Sequence, residues 1–262
     1  MSTTLAITNQ KGGVGKTTTA ISLSAALAGE GQRVLLVDLD PQANATSGLG
    51  LRDAKTSTTA YDVLMNDDRL EDAVLETDVP GLRLLPSTID LAGAEVELVS
   101  AFTREQRLRA RLKEVPEDVD LVLIDCPPSL GLLTINAMVA ADAVLVPIQC
   151  EYYALEGLEA LRRNIELVRS HLNPSLAILG FILTMMDART RLSQQVIDEV
   201  RLHFGERVFD TSVPRSIRLA EAPGFGQPIT TFDPTSRGAQ AYQALATEVL
   251  DRLPTAIQRE RD

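Results

Sequence analysis

The sequence predicts an α/β domain built on a doubly wound, mostly parallel sheet with helices on both faces. Three observations carry that expectation. Apolar runs rich in β-branched residues recur along the chain, helical stretches separate them, and no Gly/Ser/Pro linker or internal repeat divides the 262 residues. One domain spanning 1–262 is therefore expected, with 45% hydrophobic content to fill its core.

The expected strands are Leu5 to Thr8, Val34 to Val37, Leu82 to Leu85, Leu121 to Ile124, Ala143 to Ile148 and Ile178 to Leu183. Near-continuous apolar strands of this kind are buried on both faces. A helix is expected from Thr17 to Ala28. Another is marked by Leu155, Leu158, Leu161, Ile165, Val168 and Leu172, which repeat every three to four residues and form a core-facing stripe. The last helix, from Ser236 to Leu253, presents Ala241, Leu245, Val249 and Leu253 to the sheet. Between Leu51 and Val99 the pattern is less regular and is expected to decorate one sheet edge. The polar tail from Gln258 to Asp262 is expected to fray.

No segment approaches the ~18 uninterrupted apolar residues of a membrane span, so a cytoplasmic protein is expected. Cys126 and Cys150 read as buried reduced thiols. A formal net charge of −11 argues against a basic coat over the whole molecule, so any nucleic-acid contact must be local.

Directly after the first strand lies Lys11-Gly12-Gly13-Val14-Gly15-Lys16-Thr17-Thr18. Glycines here let successive N–H groups point at phosphate oxygens while the next helix aims its positive end at them. Lys16 then reaches the β and γ phosphates and Thr17 is a Mg²⁺ ligand. The common pattern for such loops has Gly five residues before Gly15; Gln10 stands there instead, and Lys11 adds a second lysine.

Two of the buried strands run into carboxylates, Asp38 and Asp40 after one and Asp125 after the other. Strand carboxyl ends border the ligand crevice of an open parallel sheet, so the three are expected to converge on the loop. Any one of them could be an ordinary turn or capping residue. All three together suit one Mg²⁺ and one attacking water, as in an enzyme that hydrolyses ATP to ADP.

In these residues the chain resembles the ParA-type partition ATPases of the chromosomal Soj group, within the deviant-Walker P-loop NTPases that include MinD. The similarity runs through Thr8 to Thr19, Val34 to Gly50, Asp120 to Ser129, Pro147 to Gly157 and Val213 to Pro223, and is essentially full length. It implies that Lys11 is the signature lysine, crossing to the nucleotide of a second copy in an ATP-held sandwich homodimer. By the same resemblance Asp40 handles the attacking water, Asp125 holds the Mg²⁺ shell through water, and Asp38 bonds the loop or those waters. The implied adenine site comprises Met185, Pro214, Arg215 and Ser216, although relatives usually have Asn where Ser216 stands.

The resemblance further implies nonspecific binding of double-stranded DNA through Arg189 and Arg218, with Arg191 nearby, on the nucleoid. Hydrolysis, weak alone, is expected to be stimulated by a ParB/Spo0J-type centromere-binding partner. The alternative is a MinD-like ATPase that cycles on and off membranes. It requires a basic amphipathic C-terminal helix, whereas Glu248, Asp251 and Pro254 occupy that region. No stable membrane association is expected.

Overall fold

The computed structural model of the protein describes residues 2–54, 56, 58–151, 154–187 and 189–259, without the side chains of 154–158 and 259. Its seven strands are β1 (Thr3–Ile7), β2 (Val34–Asp38), β3 (Leu75–Glu76), β4 (Leu82–Leu85), β5 (Leu121–Asp125), β6 (Ala143–Gln149) and β7 (Ala177–Thr184). They form one sheet in the order β3-β4-β2-β5-β1-β6-β7. All neighbours are parallel except the β3/β4 pair.

Because β1 lies between β5 and β6, the chain winds outward from it in both directions, and the crevice of such a sheet opens beyond the carboxyl end of β1. Register places Asp38 of β2 directly opposite Asp125 of β5, and Asp125 opposite Ile7 of β1. Three strand ends therefore stop at one level.

Five longer helices cover the faces: α1 (Lys16–Gly29), α2 (Leu132–Ala140), α3 (Ala154–His171), α4 (Arg191–Phe204) and α5 (Arg237–Arg259). Strand side chains alternate between two apolar layers, as a period of two requires. Leu35, Val37, Val122 and Ile124 join Leu133, Leu161, Ile165 and Val196 on one face. Leu36, Leu121 and Leu123 join Ile21, Leu23, Leu27 and Leu245 on the other. Full burial of each such side chain stabilises by roughly 1.5–3 kcal/mol, so cutting Leu123 to Ala should cost about 2–5 kcal/mol.

Several boundaries differ from expectation. Most strands gain residues at their ends because backbone pairing continues past the apolar runs, as where Thr3 pairs with Leu121 and Gln149 with Thr184; β4 has the expected bounds, and β1 ends at Ile7, short of Thr8. The irregular stretch from Leu51 to Val99 does lie at one edge, but it also supplies β3, a two-residue antiparallel strand too short to leave a pattern. In α3, Leu161, Ile165 and Val168 are buried, whereas the side chains of Leu155 and Leu158 fall outside the described residues.

The last helix begins where Ser236 accepts from the backbone N–H of Ala239, and it runs beyond Pro254 to Arg259. Proline removes one helical hydrogen bond, but Ala256 and Ile257 still pack on the sheet. The buried stripe is Tyr242, Leu245, Ala246, Val249 and Leu253, with Ala241 only half-buried. Gln258 and Arg259 are helical, and 260–262 lie outside the described residues. No helix among the described residues is long and apolar enough to cross a membrane, and the apolar face of α5 is spent on the core.

Candidate active site

The loop after β1 is fastened at three points. Asn9 is buried; its amide donates to the carbonyl of Pro147 at 2.7 Å while its oxygen accepts the N–H of Lys11 at 3.0 Å. Further on, the Thr184 hydroxyl donates to the carbonyl of Val14 at 2.8 Å. The loop is thus anchored to β6 and β7. Gly13 and Gly15 adopt φ of 75° and 87°, a region that side chains with a Cβ resist. Their conformation turns the chain into α1, which starts at Lys16.

Lys16 is buried and donates its ammonium to the carbonyl of Lys11 at 3.1 Å, lying across the mouth of the loop. Burial lowers its pKa, and the charges of Asp125 and Asp40 oppose that shift. Lys11 is half-exposed instead, and its ammonium stands 3.6 Å from Glu151.

The three carboxylates are all buried, with different surroundings. Asp38 accepts the N–H and hydroxyl of Thr46 at 2.8 and 2.7 Å and the N–H of Asp40 at 3.2 Å. It therefore holds the turn after β2 rather than the phosphate loop. Burial raises its pKa to about 6, against the pull of those hydrogen bonds. Asp40 accepts the N–H of Gln42 at 2.9 Å, and its carbonyl accepts the Ser87 hydroxyl at 2.8 Å.

Asp125 differs from both, because neither of its buried oxygens has a hydrogen bond of ordinary geometry among the described residues, only a weaker approach of the Thr17 hydroxyl. Burial first, and then the charge of Asp38, push its pKa well above the usual carboxylate range; the Thr17 hydroxyl and the Lys16 ammonium pull it back. Two adjoining buried carboxylates and an orphaned pair of oxygens make a site short of positive charge. No group of three or more His, Cys, Asp or Glu gathers as a metal cage among the described residues. These residues would suit a hard divalent cation, whose charge would offset theirs and that of bound phosphates.

Cys126 and Cys150 are free and buried, and burial pushes both thiols up, Cys150 to about 11. Neither is a nucleophile here.

Beside the loop opens a cleft of about 240 Å³ walled by Gly15 and Thr18 on one side and Met185, Pro214, Arg215 and Ser216 on the other. The second wall is built by a bridge: Met186 donates to Val213 and accepts from Arg215, each at 3.0 Å. Tyr242 of α5 also lines the cleft, its hydroxyl 3.1 Å from that of Thr19 in α1.

Around the corner a wider groove of about 820 Å³ is lined by Arg189, Arg215 and Arg218, and by Arg237. Arg191 starts α4 and is exposed outside that lining. Three of these groove arginines are already paired, Arg215 with Glu151 at 3.8 Å. Arg189 makes two bonds to Asp187 at 2.9 and 2.8 Å, which hold the Asp187 carboxyl at about 2. Arg218 reaches Glu221 and Asp233, both at 3.1 Å, and lies 5.4 Å above the Phe232 ring.

Sequence reasoning missed Asn9, Thr46, Ser87, Tyr242, Glu151 and Arg237. Asn9 and Tyr242 act through partners distant in the chain, Pro147 and Thr19, which no local spacing marks.

Known proteins share this sequence and fold. A family model described as an AAA domain matches residues 2–178. The sporulation initiation inhibitor protein Soj of Bacillus subtilis is 56% identical over 94% of this chain and 97% of its own length. The chromosome partitioning protein ParA of Caulobacter vibrioides is 54% identical over 95% and 94%. Among solved structures, cobyrinic acid a,c-diamide synthase from Mycobacterium smegmatis with bound ADP and magnesium superposes with a TM-score of 0.85 at 40% identity, covering 97% of this chain and 96% of that one. With its sheet order, its phosphate loop and more than half of its residues identical to Soj and ParA over nearly its whole length, the chain belongs to the ParA/Soj family of chromosome-partitioning ATPases.

Proposed function

We propose that residues 1–262 act as a single ATPase domain whose ATP-bound form is a DNA-binding sandwich dimer, reset by hydrolysis. The observation that carries this reading is a half-exposed second lysine, Lys11, on the same loop as two adjoining buried carboxylates, Asp38 and Asp125, the latter without a geometric hydrogen bond among the described residues. The loop amides from Gly12 to Thr18 and the Lys16 ammonium bind the phosphates of ATP or ADP. Thr17 and Asp125, with Asp38 behind, are the residues that would hold Mg²⁺. The metal supplies charge neutralisation between phosphate oxygens when bound.

Adenine enters the cleft beside Met185, Pro214, Arg215 and Ser216. Asp40 orients the attacking water, and its carboxylate can take the proton that water releases. Lys11 is half-exposed and held only by Glu151 at 3.6 Å, a partner it would exchange for the phosphates of a second copy, where another cation stabilises the charge of the transferring group. Arg189, Arg218 and Arg191 then contact phosphates of double-stranded DNA as the dimer forms. A ParB-type partner accelerates the slow basal hydrolysis, which returns the protein from nucleoid to cytoplasm.

Cosedimentation with nonspecific duplex DNA is expected in ATP and not in ADP. Equal DNA binding without any nucleotide would overturn the switch.

A further inference from the structure

One stretch runs against the acidic balance of the chain. From Arg104 to Lys113 the sequence carries Arg104, Arg107, Arg109, Arg111 and Lys113 against the single carboxylate of Glu105, in a protein of net charge −11. The short helix Arg107–Arg111 and the turn Leu112–Glu114 wall a groove of about 500 Å³ together with Phe102 and Asp67. It shares no lining residue with the arginine groove around Arg189 and Arg218.

Internal partners account for three of the five cations. Arg104 pairs with Glu105 at 2.8 Å, Arg107 donates to the carbonyls of Leu64 and Met65 at 3.0 and 3.3 Å, and Arg111 pairs with Glu114 at 3.1 Å and Asp67 at 3.5 Å. Arg109 and Lys113 are exposed and have no ion pair among the described residues. Phe102, in the same groove, is 92% exposed, and Val96 and Val99 in the preceding turns are 75% and 60% exposed.

The platform is fixed. Asn136 of α2 is fully buried; it donates to the carbonyls of Arg104 and Leu132 at 2.7 and 2.9 Å and accepts the N–H of Leu108 at 3.1 Å. A groove held this way is not ordered at the moment of binding, which removes part of the cost of association.

We infer that this groove docks an acidic peptide segment of a partner protein, with an apolar side chain seated on Phe102 and carboxylates paired with Arg109 and Lys113. The pattern is that of an interface centre, an aromatic anchor flanked by cations. Nucleic acid would satisfy the two cations, but a phosphate backbone offers no apolar group to the exposed Phe102, so a peptide is the better complement. The inference stands apart from the DNA-binding and dimerisation readings.

The probe is a fluorescent peptide of about twelve residues, rich in Asp and Glu with a central Phe and Leu, titrated into the full-length protein at low salt. Saturable binding is expected. It should weaken about tenfold or more in Phe102→Ser and in Arg109→Glu/Lys113→Glu, and remain within about twofold in Arg109→Lys/Lys113→Arg. Thermal melting confirms that each variant is folded, and Arg109→Gln/Lys113→Gln replaces the charge reversal if it is not. Three results overturn the inference: no saturation, binding indifferent to Phe102→Ser, or complete displacement by a single-stranded oligonucleotide that binds more tightly.

Discussion

The phosphate loop and the arginine groove hold their charges in opposite ways. Under the loop, Asp125 is buried without a geometric hydrogen bond to either oxygen among the described residues, and Lys16 offsets only part of its charge, so a cation from outside the chain would complete the site. In the groove, Arg189 and Arg218 are exposed and already bonded to Asp187, Glu221 and Asp233. The first region is a deficit that a ligand fills. The second is a set of closed pairs, in which a phosphate must displace a carboxylate before it gains anything, so each arginine there is worth less than its charge suggests.

If that contrast is right, substitutions under the loop should have much the larger effects. Lys16→Ala is expected to abolish measurable ATP binding, a loss of ~1,000-fold or more by calorimetry, because it removes the buried cation that faces the phosphates. Retained affinity would mean that loop amides suffice.

Asp40→Ala should lower hydrolysis by about 100-fold or more, in the range for losing a positioned proton acceptor, while ATP affinity is retained. Sedimentation in ATP should then show an accumulating dimer. Turnover equal to the parent protein would remove Asp40 from the chemistry.

Asp38 sharpens the comparison through pH. Its folded pKa of about 6 lies above the unfolded value of about 3.9. A raised folded pKa gives stability that is fully present below the unfolded value and lost as pH rises through the folded one. Asp38→Asn should therefore gain on the parent protein between about pH 4 and pH 6, by on the order of 2 kcal/mol. Urea unfolding of the nucleotide-free proteins across that window checks this, and a flat difference would contradict it.

In the arginine groove, Arg189→Ala and Arg218→Ala should each weaken DNA binding by a few-fold, and deleting one cation that meets a DNA phosphate should lower the salt slope by about 0.9. The sharper variant is Asp187→Asn, which releases Arg189 and should strengthen binding. Weaker binding in Asp187→Asn would show that the pair itself is what DNA recognises.

Legibility in the sequence follows the same division. Lys16, Thr17, Asp38, Asp40 and Asp125 sit at fixed distances from strand ends, and the parallel sheet translates that spacing directly into the juxtaposition of Asp38 with Asp125. The fold class was equally readable, because strands buried on both faces are continuous apolar runs. What sequence could not supply was pairing across the chain. The turn role of Asp38 depends on Thr46, the anchoring of the loop on Asn9 and Pro147, and the neutralisation of Arg218 on Asp233. Helix α5 continues past Pro254 for a related reason, since its far contacts outweigh one missing hydrogen bond.

The hydroxyl contact between Thr19 and Tyr242 joins α1 to α5 across 223 positions of the chain. Tyr242 also lines the cleft that abuts the phosphate loop. On the ribosome, β1, the loop and α1 emerge early, yet that cleft has no Tyr242 until α5 has cleared the exit tunnel. A nascent chain therefore carries an unfinished pocket until the segment that bears Tyr242 has emerged.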